Sequence, residues 1–171
     1  MMALDIAKKC GVAYLEDGII KIMVLIGPAS LQARYLLAII SRLNITKVVA
    51  EDLPRMRNMN TTKSLLRRQG QLECFLLLKC VIIEYTRVST ARKNLGTKAK
   101  DKLVVQKMIS DRAGFDVTTD EADAVAILLS SLKAKLSEYP IERVDPKTIK
   151  IVTMGKLQRI VSRALANIEI G

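Results

Sequence analysis

Histidine and tryptophan are both absent from this chain, and cysteine occurs only three times. Without an imidazole, no histidine can serve as general base, nucleophile or zinc ligand, so any catalysis must run on carboxylates, lysines or metal ions. Cys10, Cys74 and Cys80 are odd in number and lack a C-x-x-C spacing, which argues against both a disulfide framework and a zinc site. Aromatic residues make up 4% of the chain, too few for a module that binds by stacking bases on exposed rings. No apolar run reaches the roughly 18 to 20 residues of a membrane span. Asp5, Lys8 and Lys9 break the apolar N-terminal stretch, so no signal peptide is expected, and the expected location is cytoplasmic, in association with nucleic acid. Acidic residues are also scarce: 17 stand against 28 lysines and arginines, a formal charge of +11. Such an excess favours a polyanionic partner, nucleic acid ahead of an acidic membrane surface. The 171 residues, 50% of them hydrophobic, suffice for one well-buried core.

Strands and helices alternate along the chain after an initial hairpin, which predicts an α/β fold with a mixed sheet. MALDIA reads as a short strand. The next two strands lie in KKCGVAYLEDGIIKIMVLIG, joined by a turn at Asp17-Gly18. Leu31, Tyr35, Leu36, Ile39, Ile40 and Leu43 share one face of a helix entered at Pro28. Lys47 to Ala50 reads as a buried strand stopping at Glu51, and a polar loop, RMRNMNTT, leads to a helix over 63–79. CVIIEYTRV is strand-like, KDKLVVQKMISDRAG is helical and stops at Gly114, and DEADAVAILLSSLKAKL is a strong helix. Residues 1–139 are expected to form the domain and 140–171 an extension that packs on it or on a partner. In that extension 149–153 reads as a strand, and Leu157, Ile160, Val161, Ala164, Leu165 and Ile168 form an amphipathic helical stripe.

Four acids stand out by position. Asp5 and Glu51 end strands, and Asp120 and Asp123 lie three apart at the start of a helix, on one face. Each has an ordinary explanation alone: a strand-end acid is usually a solvated boundary residue, and Thr118 with Glu121 fits a capping box beside which acids offset the helix dipole. Together, opposite a basic surface, they match what two-metal phosphodiester hydrolysis requires. Hard oxygen ligands hold two Mg2+ ions about 3.5 to 4 Å apart, one activating water and the other stabilising the leaving oxygen.

The order of elements resembles the RuvC family of Holliday-junction resolvases, of the ribonuclease H-like superfamily, along roughly residues 1–135, with the phage and poxviral types nearest. The matching motifs are Asp5 in LDIAKKCGVAY, Glu51 in VVAEDLP, and Asp120 and Asp123 in DEADAVAIL. The resemblance implies a five-stranded ribonuclease H-like sheet and two Mg2+ ions per subunit, replaceable by Mn2+, held by Asp5, Glu51, Asp120 and Asp123. It also implies resolution of four-way junctions to 5′-phosphate and 3′-hydroxyl ends, and a viral or phage source. Lys9 is placed like a lysine of the family's first motif. RKNLG resembles the arginine-lysine segment of phage-type resolvases, which would put Arg92, Lys93 and Lys100 near the scissile phosphate, Lys100 in a catalytic role.

The basic segment RVSTARKNLGTKAKDK sets Arg87, Arg92, Lys93, Lys98, Lys100 and Lys102 against Asp101 alone; it reads either as a solvated loop or as a grip on the DNA backbone, to which Arg55 and Arg57 add. The chain departs from the family at three points. Ala7 stands where glycine is common, Leu53, Pro54 and Met56 where an aromatic wedge is common, and Ala91 where an aromatic precedes the arginine-lysine pair.

A four-way junction has approximate twofold symmetry, so a homodimer with one site per subunit is expected, with the helix around Leu65, Leu66, Leu72, Phe75 and Leu76 either at the interface or in the core. Two other readings stay open: a nuclease of the same fold acting on forks, flaps or RNA–DNA hybrids, and a non-catalytic nucleic-acid-binding protein of that fold.

Overall fold

A computed structural model of the chain describes residues 1–52, 59–79, 81–97 and 101–151, together with 153, 155, 159 and 162. Strands β1 (Met2–Asp5), β2 (Lys9–Glu16) and β3 (Ile19–Ile26) form an antiparallel meander. Asp17 and Gly18 both take positive φ at the β2–β3 turn, as a tight two-residue hairpin demands. Helix α1 (Ala29–Leu43) follows, ending at Asn44 in the left-handed conformation. Strand β4 (Lys47–Glu51) then lies parallel to β1, helix α2 (Met59–Leu77) crosses back, and β5 (Ile82–Thr86) lies parallel to β4. Helices α3 (Val88–Asn94), α4 (Lys102–Ala113) and α5 (Thr119–Leu132) complete the α/β architecture.

The sheet has six strands, not the expected five, in the order β5-β4-β1-β2-β3-β6. The sixth, β6 (Ile141–Arg143), runs parallel to β3 and buries Ile141. The strand expected over 149–153 is not formed at Ile149, Lys150, Ile151 or Thr153. Asp145 accepts a hydrogen bond from the Lys147 amide and Pro146 opens a short 3-10 turn, which ends the extended chain before Ile149 packs against the core. The amphipathic stripe from Leu157 to Ile168 lies outside the described residues.

Side-chain alternation sorts the core into two layers. Met2, Leu4, Val12, Tyr14, Met23, Leu25, Val48 and Ala50 point to the α1–α2 side, and Ala3, Ala13, Ile20, Ile22 and Val49 to the α3–α4–α5 side. Small residues on the second side let α5 lie directly on the sheet, and its residues from Glu121 to Leu129 are all buried. Its stretch from Ala124 to Leu129 is apolar on every face, which is stable only in such a sandwich. Each fully buried Leu, Ile or Val there contributes about 1.5 to 3 kcal/mol.

The basic segment contains α3, a helix that its charge pattern concealed. Ala91 is its apolar anchor, fully buried against the second layer, and Leu95 packs beside it. Helix α2 points Leu72 and Leu76 into the core, with Phe75 partly buried, and leaves Leu66 exposed. Among the described residues, no helix is long and apolar enough to cross a membrane.

Candidate active site

The pleat determines where the acids meet. Asp5 continues the alternation of Ala3, and Glu51 that of Val49, so both carboxylates emerge on the α5 side. The parallel register pairs Leu4 with Ala50, which brings the two strand ends side by side. On the other flank Asp5 pairs with Gly11 of β2. A Cβ on Gly11 would lie 2.0 Å from the Asp120 backbone oxygen. Only glycine therefore lets the first turn of α5 approach the end of β1. That turn is fixed by a capping box, with the Thr118 hydroxyl accepting from the Glu121 amide and the Glu121 carboxylate accepting from the Thr118 amide.

Asp5 is 5% exposed. Burial, then a hydrogen bond to Glu51, then repulsion from Glu51, Asp123 and Asp120 push its pKa up to about 9. Glu51 and Asp120 are half-buried at the rim. Asp123 is 3% exposed, and both its oxygens are engaged: Arg92 Nε donates to Oδ1 at 2.9 Å and Nη2 to Oδ2 at 2.7 Å, with Lys102 Nζ 3.2 Å from Oδ2. This forked pair is the geometry in which a buried carboxylate and guanidinium offset their desolvation.

The basic residues are distributed differently from a single surface grip. Arg92 is turned inward, 8% exposed, and Lys102 leans over the same carboxylate. Lys9 and Lys93 are exposed, and Arg87 is exposed beside Asp52 at 3.9 Å. Arg55, Arg57, Lys98 and Lys100 lie outside the described residues, as do Leu53, Pro54 and Met56.

Two features escaped the sequence reading. Gly11 carried a usable signal, a glycine inside an otherwise apolar strand, which marks close backbone approach. Glu121 does more than cap. It is 2% exposed and accepts from Arg143 Nε and Nη2, both at 2.9 Å, while Arg143 lies over the Phe115 ring and donates to the Asp116 carbonyl. The sequence gives no sign of this contact, because its partners are 22 residues apart and the strand carrying Arg143 was not foreseen.

The donor chemistry suits a divalent cation. Asp5, Glu51 and Asp120 are hard oxygen donors whose mutual repulsion, visible in the raised Asp5 pKa, a cation would relieve. As the side chains stand, no three acids among the described residues enclose an ion, and Asp123 is available to one only on giving up Arg92.

The central hairpin, the parallel β1–β4–β5 strands and the helix laid across β1 and β2 define a ribonuclease H-like fold of the RuvC type. RuvC of Thermus thermophilus in complex with a Holliday junction substrate shares this fold with a TM-score of 0.58, at 15% identity over 76% of this chain and 91% of that one. A second structure of Thermus thermophilus RuvC gives a TM-score of 0.53 at 16% identity, over 78% of this chain and 98% of that one. No family model and no curated protein matches the chain.

Proposed function

We propose that this chain is a divalent-metal-dependent DNA endonuclease that resolves four-way junctions as a homodimer. The observation that carries the reading is the meeting of Asp5, Glu51, Asp120 and Asp123 at one end of a RuvC-type sheet, with the Asp5 pKa pushed up to about 9 by burial first and by its acidic neighbours second. An excess of positive charge over the whole chain supports a nucleic-acid substrate. The complex formed by the Thermus thermophilus neighbour supports a branched one.

Asp5, Glu51 and Asp120 would hold the metal, with Asp123 joining them on leaving Arg92. Mg2+ or Mn2+, when bound, supplies the Lewis acidity that activates water and stabilises the departing oxygen. Asp5 is the pivot, set between Glu51 on one side and the α5 turn on the other, and in its charged form it gives the site its affinity for cations. Gly11 and the capping box hold Asp120 and Asp123 against it. Arg92 and Lys102 neutralise Asp123 before substrate arrives and lie where cations can offset phosphate charge. The exposed Lys9, Lys93 and Arg87 would steer and hold the DNA backbone.

Cleavage assays with four-way junctions, forks, flaps and RNA–DNA hybrids side by side test the reading. The native protein is expected to make paired symmetric nicks in the junction with Mg2+, and Asp5→Asn to bind without cutting. Faster cutting of any other substrate would reassign the specificity and leave the site intact.

A further inference from the structure

A second built feature stands at the same end of the sheet, centred on Gln32 of α1, which is completely buried. Its amide nitrogen donates to the carbonyls of Leu25, at 2.9 Å, and Lys8, at 3.4 Å. Its side-chain oxygen accepts from Arg68 Nη1 at 3.0 Å, and the same nitrogen donates to the Gly27 carbonyl at 3.1 Å. One buried amide thus ties together the turn after β1, the end of β3 and helix α2. Burying such a group is costly unless it is fully paired, and here the pairing fixes the shape of a surface cavity. The cavity measures about 330 Å³ and is lined by Lys8, Lys9, Ile26, Gly27, Pro28 and Arg68.

Among the described residues that line the cavity, three of six are cations and none is an acid, and Ile26 is 66% exposed. Position relates this cavity to the carboxylates. Gly11 pairs with Asp5 on one side and Val24 on the other, and two residues further along Lys9 pairs with Ile26. Strand and residue spacings then put Ile26 roughly 12 Å from Asp5, a span of about three nucleotides at the rise of a DNA strand. Alternation along β3 places the Ile26 side chain on the carboxylate face, while Pro28 and Arg68 come from the α1–α2 side, so the cavity lies at the end of the strands between the two faces.

We propose that this cavity holds an unpaired nucleotide of the bound DNA strand, about three residues from the phosphate that is cut. Its base would lie against Ile26 and Pro28, and its phosphate among Lys8, Lys9 and Arg68. Exposed branched side chains contact or part bases, and cations hold the backbone. Charge selects this occupant over a second copy of the chain, which would bring its own formal +11 against three cations.

The inference rests on the nuclease reading, and the experiment separates the two. A four-way junction carrying 2-aminopurine at positions about two to four nucleotides from the cut phosphate is titrated with Asp5→Asn protein, so that the DNA stays intact, and the native protein is assayed for cleavage in parallel. Binding should raise the fluorescence, and Ile26→Ala in the same background should lose most of that rise. Lys8→Ala with Lys9→Ala should lower affinity and flatten the slope of log affinity against log salt by about 2. All three residues are exposed, so the variants should fold. If the native protein cuts the junction yet the fluorescence rise survives Ile26→Ala and the salt slope survives loss of both lysines, the subsite is overturned and the nuclease reading stands. If the native protein neither binds nor cuts branched DNA, both fall. An Ile26→Ala variant that keeps the rise but changes its sedimenting mass would make the cavity a protein interface, overturning the proposal.

Discussion

Asp5 concentrates the unfavourable electrostatics of the molecule in one carboxyl group. Its pKa is raised first by burial, then by Glu51, Asp123 and Asp120, so from about pH 4 to about pH 9 the folded protein keeps a proton that the unfolded chain releases. The folded state binds more protons across that window, and stability therefore falls as pH rises through it. In metal-free buffer, Asp5→Asn should melt above the native protein, with a gap that widens from pH 5.5 to pH 8.5 by more than about 3 °C. Thermal unfolding followed by circular dichroism measures the gap, and a constant gap would remove the strain assigned to Asp5. Gly11 is the other residue on which the site depends. Gly11→Ala forces the Asp120 backbone away from β2 and should cost about 1 to 3 kcal/mol. It should also weaken Mn2+ binding, measured by calorimetry, while Gly70→Ala, with open space at its Cβ, should leave binding unchanged. The candidate acids were legible in the sequence because strand ends and a D-x-x-D helix start are local patterns. The engagement of Asp123 by Arg92 was not, since it joins two helices 31 residues apart.

Among the elements, α5 does most to organise the site, and it is fastened from both ends. Its N-terminus is held by the capping box and by Arg143 of β6, and its C-terminus closes through Lys133 in the left-handed conformation. Removing the Arg143 side chain leaves Glu121, 2% exposed, with the Thr118 contacts alone. Arg143→Ala should therefore destabilise the protein by about 2 kcal/mol, less than for a fully buried pair because the arginine is half-exposed. Chemical denaturation checks the figure; a change below measurement error would mean that β6 does not brace α5. The strand β6 was hard to read because three residues between Pro140 and a proline-led turn give no periodicity to detect. Helix α3 was hidden for a related reason, since its apolar side is marked by Val88, Ala91 and Leu95 alone in a short segment that also carries Arg87, Arg92 and Lys93. The longer elements, the β2–β3 hairpin and helices α1 and α5, were plain because their patterns repeat over 14 residues or more.

The whole molecule joins a RuvC-type scaffold to exposed apolar side chains on its outer strand and on α2. Strand β5 is an outer strand of the sheet, and Ile82 and Tyr85 on it, with Leu66 and Leu77 on α2, are large exposed apolar side chains. Sheet edges left open invite pairing, and a twofold dimer through this side gives one site for each of two opposed strands of a junction. The chain should sediment as a dimer at micromolar concentration, and Leu66→Asp with Ile82→Asp should yield monomers whose paired nicks become independent single nicks. Net charge favours a nucleic-acid partner, but the distribution of that charge is a property of the fold: Arg92 faces inward, Lys102 reaches the same carboxylate from the surface, and Lys8, Lys9 and Arg68 gather at one cavity. The most direct measurement is the cleavage of a labelled four-way junction by the native protein and by Asp5→Asn, in Mg2+ and in chelator. Symmetric nicks are expected only from the native protein with metal, and full junction binding from the variant; Mg2+-dependent nicking that survives in Asp5→Asn would contradict the assignment of Asp5 to the metal site.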